Sequence, residues 1–273
     1  MGSIRKLPTY YLPHGGGPWH VMKEDFGPDS GYDALEAYLV ALGRRHGGEV
    51  SSILMVSAHW EEPRATLHFG AKPGMFFDYG GFPEHAYRLS YPAPGDPGLA
   101  EKTEALLRGA GIGSGRETAR GYDHGAFVPL MVAFPAAAIP VVQLSLVEGL
   151  DPAAHFALGR ALEPLRSEGT LILGSGMSYH NLRGLLSGSP GVAESSRRFD
   201  DWLAAAVALA DPEARRAALL EWEKAPSARE CHPRSEHLVP LFVAAGAAGA
   251  DPGRREYSGR LMGASVSSHV FGA

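Results

Sequence analysis

The strongest constraint on the fold is a set of short apolar runs that are almost free of charge and are separated by helical segments. Three of them are "SSILMVSAHW" (51–60), "IPVVQLSL" (139–146) and "GTLILGSG" (169–176), and a shorter fourth run is "TYYLP" (9–13). Near-continuous apolar runs of this length are typical of strands buried on both faces of a parallel sheet. The pattern therefore predicts four buried strands.

The segments between these strands show the periodicity and the end signals of helices. Asp96-Pro97 and Asp151-Pro152 each place an N-cap residue before a proline at the first helical position, and Ser235 is a third predicted N-cap. The sequence predicts helices over residues 32–47, 96–111, 151–169 and 235–249, two more within 193–226 that break at Asp211-Pro212, and a C-terminal edge strand within 259–272. Because strands and helices alternate without a repeat or a linker, we expect a single α/β domain over residues 1–273, with a central mixed, mostly parallel sheet flanked by helices.

Charge and cysteine content exclude several classes of protein. A net charge of −5 gives no basis for binding nucleic acid or an anionic membrane surface. The single cysteine, Cys231, rules out an intramolecular disulfide and a zinc site built from sulfur alone. No apolar run reaches the roughly 18 residues of a membrane span, and no secretory signal is recognisable at the N-terminus. These observations predict a cytoplasmic protein.

Histidines follow three of the predicted strands. His14 comes just after the "YYL" run, His59 ends the "ILMVSA" run, and His180 follows "LILGSG" after a short loop. Ligands of open α/β sheets bind beyond the carboxyl ends of the strands, so we expect these three side chains to share one edge of the sheet. His237, in the first turn of a predicted helix, and His124, in "RGYDHGAFVPL", are further candidates. The sequence therefore predicts a shared metal or catalytic site.

The stretch "LPHGGGPW" around His14 has three alternative interpretations. His-Gly-Gly-Gly supplies oxyanion-hole N–H groups in some lipases and esterases, or the histidine binds a metal and the glycines let the backbone and a substrate approach. The third interpretation is a tight glycine turn whose histidine is solvated. The first alternative requires a Gly-x-Ser-x-Gly motif, which the chain does not contain. The zinc-protease motif His-Glu-x-x-His is also absent, and "HPRSEH" (232–237) is one residue too long for His-x-x-Glu-His. A metal site is therefore favoured.

Seven segments, in order, resemble the class III extradiol ring-cleavage dioxygenases, the family of 4,5-DOPA dioxygenases and of the catalytic subunit of protocatechuate 4,5-dioxygenase. They are "LPHGGGPW", "ILMVSAHWE", "FDYGGFPEHAYRLSYPAPGDPGLA", "RGYDHGAFVPL", "IPVVQLSL", "LILGSGMSYHNLRG" and "EHLVPLFVAAGAAG". The segments span about residues 9–249 and are most similar to the 4,5-DOPA dioxygenase-like branch. The resemblance implies an α/β fold with a central mixed sheet, in agreement with the pattern of apolar runs.

The resemblance implies a role for each candidate histidine. His14 and His59 resemble two metal ligands, and His237 resembles the third ligand of the 4,5-DOPA dioxygenase-like branch. His180 matches a histidine that acts either as an acid/base or as an additional metal ligand. His124 resembles a histidine that contacts the substrate or dioxygen.

Three acidic residues are further candidates for the site. Glu236 is an alternative third ligand to His237, because non-haem Fe(II) sites usually combine two histidines with a carboxylate. Asp78 and Asp123 are predicted to cap turns.

The implied reaction inserts both atoms of O2 into a catechol-type diol and opens its ring. The implied cofactor is Fe(II) for activity, and Zn(II) also suits a set of histidine ligands as the bound ion. Homo-oligomers are compatible with the sequence. The alternative is a zinc-binding hydrolase or a metal-binding protein on the same fold, because a fold does not fix a function.

Residues 70–98 form a long segment that is rich in glycine, proline and aromatic residues. Long ordered loops in compact domains are usually functional, so we expect residues 72–95 to form a lid over a pocket. Tyr79, Phe82, Tyr87 and Trp60 are candidates for lining a pocket for an aromatic ring, with ordinary core packing as the alternative.

Overall fold

An eight-stranded mixed sheet forms the centre of the computed structural model, which describes residues 6–188 and 190–272. The strands are β1 (Thr9–Pro13), β2 (Ser52–Glu62), β3 (Ala65–His68), β4 (Ser114–Glu117), β5 (Val141–Val147), β6 (Thr170–Gly176), β7 (Gly253–Leu261) and β8 (Ala264–Phe271). Their order is β4-β3-β5-β2-β6-β1-β8-β7. The pairs β3–β4, β5–β2, β2–β6 and β6–β1 are parallel, and β3–β5, β1–β8 and β8–β7 are antiparallel. The predicted α/β fold with a central mixed, mostly parallel sheet is confirmed.

The four predicted buried strands are β1, β2, β5 and β6, and they are neighbours in the middle of the sheet. Every residue of β1 and β6 is buried. Successive side chains of a strand point to opposite faces, so complete burial means that both faces of the sheet are covered. This explains why the runs are apolar throughout and do not alternate with polar residues.

Helices connect and cover the strands. They are α1 (Lys23–Phe26), α2 (Tyr32–His46), α3 (Pro97–Gly109), α4 (His124–Ala133), α5 (Pro152–Leu162), α6 (Leu182–Ser187), α7 (Gly191–Val207), α8 (Pro212–Leu220), α9 (Ala228–Cys231) and α10 (Val239–Ala248). Short 3-10 segments occupy Trp19–Val21, Pro28–Ser30, Glu84–Tyr87, Glu163–Glu168 and Trp222–Lys224. The predicted Asp-Pro helix starts are confirmed, because the carboxylates of Asp96, Asp151 and Asp211 accept hydrogen bonds from backbone N–H groups of the first turn.

The C-terminal segment differs from its prediction. Residues 259–272 were expected to form one edge strand, but they contribute to a hairpin in which β8 lies between β1 and β7, and β7 takes the edge. The turn residues Met262 and Gly263 have φ values of 50° and 88°. Positive φ at both central residues matches the two-residue turns that suit the twist of paired strands. The strands β3 and β4 were not predicted, because four-residue strands at a sheet edge leave little pattern in a sequence.

Two predicted helices have different boundaries in the structure. The segment 151–169 is helical as α5 only to Leu162 and continues as a 3-10 turn, which contains Pro164. The helix predicted from Ser235 begins as α10 at Val239, and no side chain caps it. The backbone carbonyl of Ser235 instead accepts from the N–H groups of Leu238 and Val239, so Ser235 opens a turn before the helix.

Candidate metal centre

Three histidines that are far apart in the sequence meet at one point. His14 follows β1, His59 lies near the end of β2, and His237 lies in the turn before α10. One ring nitrogen from each lies within 4.8 Å of the others. His59 Nε2 and His237 Nε2 are 3.2 Å apart. His14 and His59 thus meet beyond the ends of their strands, and His237 joins them from the turn before α10.

Backbone contacts with β6 and a tryptophan hold His14 in place. Its N–H donates to Gly176 O at the end of β6, and its carbonyl accepts from Trp19 Nε1 at 2.7 Å. Gly15 has a φ of 79°, and a Cβ built there would lie 2.4 Å from the Trp19 ring. Glycine is therefore required beside His14 by the backbone conformation and by the packed indole, as well as for access to the cavity.

An irregularity in β2 accompanies His59. The register between β2 and β5 shifts between Val56 and Glu61, and the His59 N–H contacts Ser57 Oγ. Such irregularities re-aim side chains next to functional sites. The His59 side chain is 20% exposed to solvent, whereas the His14 and His237 side chains are buried.

The turn that carries His237 approaches the end of β6 very closely. His237 O accepts hydrogen bonds from Met177 N at 3.0 Å and from Tyr11 Oη at 2.8 Å. A Cβ on Gly176 would lie 2.0 Å from His237 O. The glycine that ends "LILGSG" therefore allows the third histidine to reach the other two.

The Nδ1 atoms of the three histidines each face an oxygen. His14 Nδ1 lies 2.7 Å from Gly15 O, and His237 Nδ1 lies 2.9 Å from Glu236 Oε1. His59 Nδ1 lies 3.1 Å from a carboxylate oxygen of Asp78. An oxygen acceptor at Nδ1 favours the tautomer that carries its proton there, which leaves the Nε2 lone pair free to bind a cation.

These residues fit a metal ion. His14 Nε2 is buried and has no hydrogen-bond partner among the described residues, and the Nε2 atoms of His59 and His237 face each other. Burial, followed by the neighbouring imidazoles, lowers the pKa of His14 and of His237 well below the usual histidine value, which favours neutral rings. Nitrogen ligands bound at about 2.0–2.1 Å lie at most about 4.2 Å apart. The observed spacing therefore requires little movement of the side chains.

Asp78 connects the cluster to a fourth histidine. Its Oδ1 accepts hydrogen bonds from His124 Nδ1 at 2.8 Å and from the His124 backbone N–H at 2.9 Å, while Oδ2 faces His59. Burial would raise the pKa of Asp78, but the hydrogen bonds from His124 and His59 outweigh it and lower the pKa. Asp78 was predicted to cap a turn; its carboxylate accepts the first N–H of helix α4, and it also contacts ring nitrogens of two site histidines. In the sequence, the only signal for this role of Asp78 was its position in the aperiodic segment 70–98, beside candidate aromatic residues.

Asp123 has the capping role that was predicted, at the start of helix α4. Its carboxylate accepts from Ala126 N at 3.1 Å and from Ser57 Oγ at 2.6 Å, and it pairs with Arg120. It is fully buried and is not part of the cavity wall.

His180 stacks on the third histidine. The ring centroids of His180 and His237 are 3.3 Å apart, with an angle of 18° between the planes. His180 Nδ1 lies 3.1 Å from Glu236 Oε1, the oxygen that also faces His237 Nδ1. Among the described residues, the nitrogen of His180 groups with Glu236 and His237, and not with His14 and His59. The Glu236 carboxylate therefore faces the Nδ1 atoms of both rings, while Nε2 of His237 faces His59.

All five candidate histidines line one cavity of about 330 Å³. Tyr79 and Phe82 line it as predicted, together with Asp78 and Gly80 from the same segment. Trp60 does not line it, because it is buried in the core with its Nε1 donating to Glu62. Tyr87 is not a lining residue either and packs against Tyr79.

In the part of the chain that the structure describes, no helix has the length and apolar character needed to span a bilayer.

Comparisons with known proteins agree with the geometry. Residues 8–271 match the family described as the catalytic LigB subunit of aromatic ring-opening dioxygenase. The chain is 43% identical over 200 residues to a 4,5-DOPA dioxygenase extradiol of Beta vulgaris, and this alignment covers 72% of this chain and 73% of that protein. It is 34% identical to dioxygenase tasH of Hapsidospora irregularis, over 97% of this chain and 85% of that protein. A crystal structure of an uncharacterised Escherichia coli K12 protein superposes with a TM-score of 0.75 and 25% identity, over 97% of this chain and 100% of that one.

Proposed function

Because the chain belongs to the family of the catalytic LigB subunit of aromatic ring-opening dioxygenases, in the 4,5-DOPA dioxygenase-like branch of the class III extradiol enzymes, we propose that it opens the ring of a catechol. The observation that carries the proposal is the convergence of His14, His59 and His237 within 4.8 Å at the wall of a cavity. The reaction needs no external reductant. The ring carbon–carbon bond beside the diol breaks, dioxygen gains four electrons from the catechol, and both of its oxygen atoms remain in the product.

In this proposal His14, His59 and His237 hold a divalent metal through their Nε2 atoms. Fe(II), when bound, supplies the redox chemistry that lets an aromatic diol react with dioxygen. The oxygens that face the Nδ1 atoms orient the rings, as outer partners of metal-bound histidines do. Zn(II) suits the same three imidazoles, so zinc is the natural control metal.

We assign His180 the role of general base. It lines the cavity, and Glu236 Oε1 lies 3.1 Å from its Nδ1. A proton held at Nδ1 and directed to Glu236 leaves Nε2 to take a proton from a catechol hydroxyl. The negative charge of Glu236 stabilises the imidazolium that results, as the carboxylate does in other carboxylate–histidine pairs. A proton removed from the diol makes the ring more electron-rich and easier to oxidise.

We assign His124 a hydrogen-bonding role toward the substrate or dioxygen. Both of its bonds to Asp78 Oδ1, through its backbone N–H and Nδ1, fix the ring at the cavity wall. Its Nε2 is then the nitrogen available to an oxygen of the reacting molecules. Because Nδ1 donates to Asp78, Nε2 of the neutral ring accepts a hydrogen bond from a substrate hydroxyl. A second proton on the ring, stabilised by the Asp78 carboxylate, would make Nε2 a fixed donor next to developing charge.

The remaining elements of the proposal concern the protein as a whole. We propose one catalytic domain over residues 1–273, acting in the cytoplasm on a small molecule, without nucleic-acid or membrane partners. The single continuous sheet, the net charge of −5 and the lone, buried Cys231 support this assignment.

The test is a comparison of metals and substrates. Metal-free protein is loaded anaerobically with Fe(II) or with Zn(II), and a panel of catechols is added with air. We expect the iron form to consume one O2 per catechol and to give yellow ring-opened products, and the zinc form to give neither. Absence of oxygen uptake with every catechol, despite stoichiometric iron, would remove the proposal.

A further inference from the structure

The cavity has two chemically different parts. One is formed by the five histidines and Asp78, and the other is almost entirely apolar. The apolar part comes from three separate segments: the loop after β6, helix α6 and the β7–β8 hairpin. Their larger apolar lining side chains are Met177, Leu182, Leu185, Leu261, Met262 and Val266, and Tyr179 and Ala264 of the same segments also line the cavity.

The size of the cavity exceeds what a bare catechol needs. An enclosed apolar cavity of about 150 Å³ accommodates benzene, and this cavity measures about 330 Å³. Once the diol faces the histidines, about half of the space remains for dioxygen and for a substituent on the ring.

The apolar part also leads to the surface. Leu182 and Met262 line the cavity, yet they are 55% and 41% exposed, which is unusual for large apolar side chains. Leu182 lies on α6 and Met262 on the hairpin turn, so the apolar surface continues from the cavity to its mouth. An apolar group that extends from the ring would cover both side chains.

No lysine or arginine is found among the described residues that line the cavity. The acidic side chain among these lining residues is Asp78, which is hydrogen-bonded to His124. Arg183 and Arg234 line an open groove that adjoins the cavity at His180 and Leu182, and Arg234 is paired there with Glu61 and Glu236. A carboxylate on a substituent that stays inside the cavity would therefore lose water without gaining a cationic partner.

We propose that the substrate is a catechol whose ring carries an apolar substituent, alkyl or aryl, and no carboxylate. This inference rests on the proposed function for the chemistry and on the lining residues for the substituent. Pockets of this kind fix one end of a ligand with a few polar groups and gain affinity from apolar contact elsewhere.

A series of catechols tests the inference. Catechol, 4-methylcatechol and 4-propylcatechol are compared with a matched pair, 4-butylcatechol and 3-(3,4-dihydroxyphenyl)propanoate, which differ mainly in the terminal carboxylate. We expect kcat/KM to rise about threefold to fourfold for each buried methylene. Within the matched pair we expect the butyl compound to be preferred by at least about tenfold.

Two arginine variants of helix α6 test whether the preference for an apolar substituent arises at the cavity mouth. Leu182→Arg places a cation at the cavity mouth, and we expect it to raise kcat/KM for the carboxylate substrate and lower it for 4-butylcatechol. Leu186→Arg makes the same change on α6 at a side chain that is 78% exposed and not part of the lining. This control should leave the preference within about twofold of the unmodified protein.

Binding separates failure of this inference from failure of the proposed function. Dissociation constants of the matched pair are measured anaerobically with the iron-loaded protein. If no catechol is opened but 4-butylcatechol binds more tightly than the carboxylate, the ring-opening function falls and the apolar preference stands. If catechols are opened but the carboxylate is preferred, or if both arginine variants change the preference equally, the apolar-substituent inference is overturned.

Discussion

Two groups of buried histidines in this chain, those of the packed core and those of the cavity, differ in whether their ring nitrogens converge. In the packed core, His155 Nε2 accepts from Val147 N at 2.9 Å and its Nδ1 faces Asp151 O at 2.8 Å. At the cavity, His14 Nε2 has no hydrogen-bond partner among the described residues, and His59 Nε2 faces His237 Nε2 at 3.2 Å. Burial lowers the pKa in both groups, as it does for His155 and for His14. Burial alone therefore does not identify a metal ligand; convergence of free lone pairs does.

The largest expected effect tests whether the converging lone pairs of the cavity histidines bind a metal. His14→Ala should abolish metal binding and reduce dioxygenase activity to background, because one of three converging lone pairs is lost. Metal content after dialysis and oxygen uptake measure this. His155→Gln is the matched control from the core. It should keep metal and activity while lowering the free energy of unfolding by about 1–3 kcal/mol. Stoichiometric metal in His14→Ala would contradict the ligand assignment.

A second prediction tests whether His180 acts as a general base or as a metal ligand. His180→Ala should lower kcat by about 10²–10⁴-fold, the usual contribution of a positioned acid/base, and leave metal content unchanged. Loss of metal in this variant would mean that His180 is a ligand. A variant of the core histidine His232, His232→Gln, should show neither effect on metal nor a loss of this size in kcat.

A third prediction concerns the carboxylate that joins two site histidines. Asp78→Asn presents an amide N–H₂ to either His59 or His124, so one of the two contacts is lost. We expect a loss of about 10–100-fold in metal affinity or activity, as for other outer partners of metal-bound histidines. Asp151→Asn, at the N-cap of α5, should leave both unchanged because asparagine is an equally good cap. Equal effects from the two substitutions would contradict the assigned role.

The smallest effect is a pH dependence in the core group. Burial lowers the pKa of His269 to about 3, whereas an unfolded histidine titrates near 6.5. The unfolded state therefore binds more protons between these values, and stability falls as the pH is lowered through this window. In His269→Gln the free energy of unfolding should fall less steeply below pH 6.5, by up to about 1.4 kcal/mol per pH unit. Urea denaturation at several pH values measures the slopes, and parallel slopes would contradict the prediction.

The sequence predicted the inner strands well and the peripheral elements poorly. The runs that became β2, β5 and β6 carry a strong local signal, because strands covered on both faces contain little else than apolar residues. The short strands β3 and β4, the last two at one side of the sheet, carry almost none. The hairpin of β7 and β8 was missed because its turn consists only of Met262 and Gly263, whose left-handed conformations are not evident from the residue types alone.

The aromatic wall of the cavity was predicted only in part. Tyr79 and Phe82 line the cavity, but Trp60 does not. Adjacent residues of a strand point to opposite faces, so a cavity position for His59 already disfavoured one for Trp60. Tyr87 reaches the site only through its contact with Tyr79. The apolar wall from α6 and the hairpin was not predicted at all.

By itself the sequence determined a sheet of buried strands and brought His14, His59 and His180 to its carboxyl edge, because hydrophobic runs and the residues that end them are local features. Tertiary structure alone decided that His237 Nε2 faces His59 while His237 Nδ1 faces Glu236. The tertiary structure likewise decided that the Asp78 carboxylate contacts both His59 and His124. It also decided that the remaining cavity wall is apolar. These outcomes depend on how side chains rotate and on contacts between segments far apart in the chain, and no local pattern of residues encodes either.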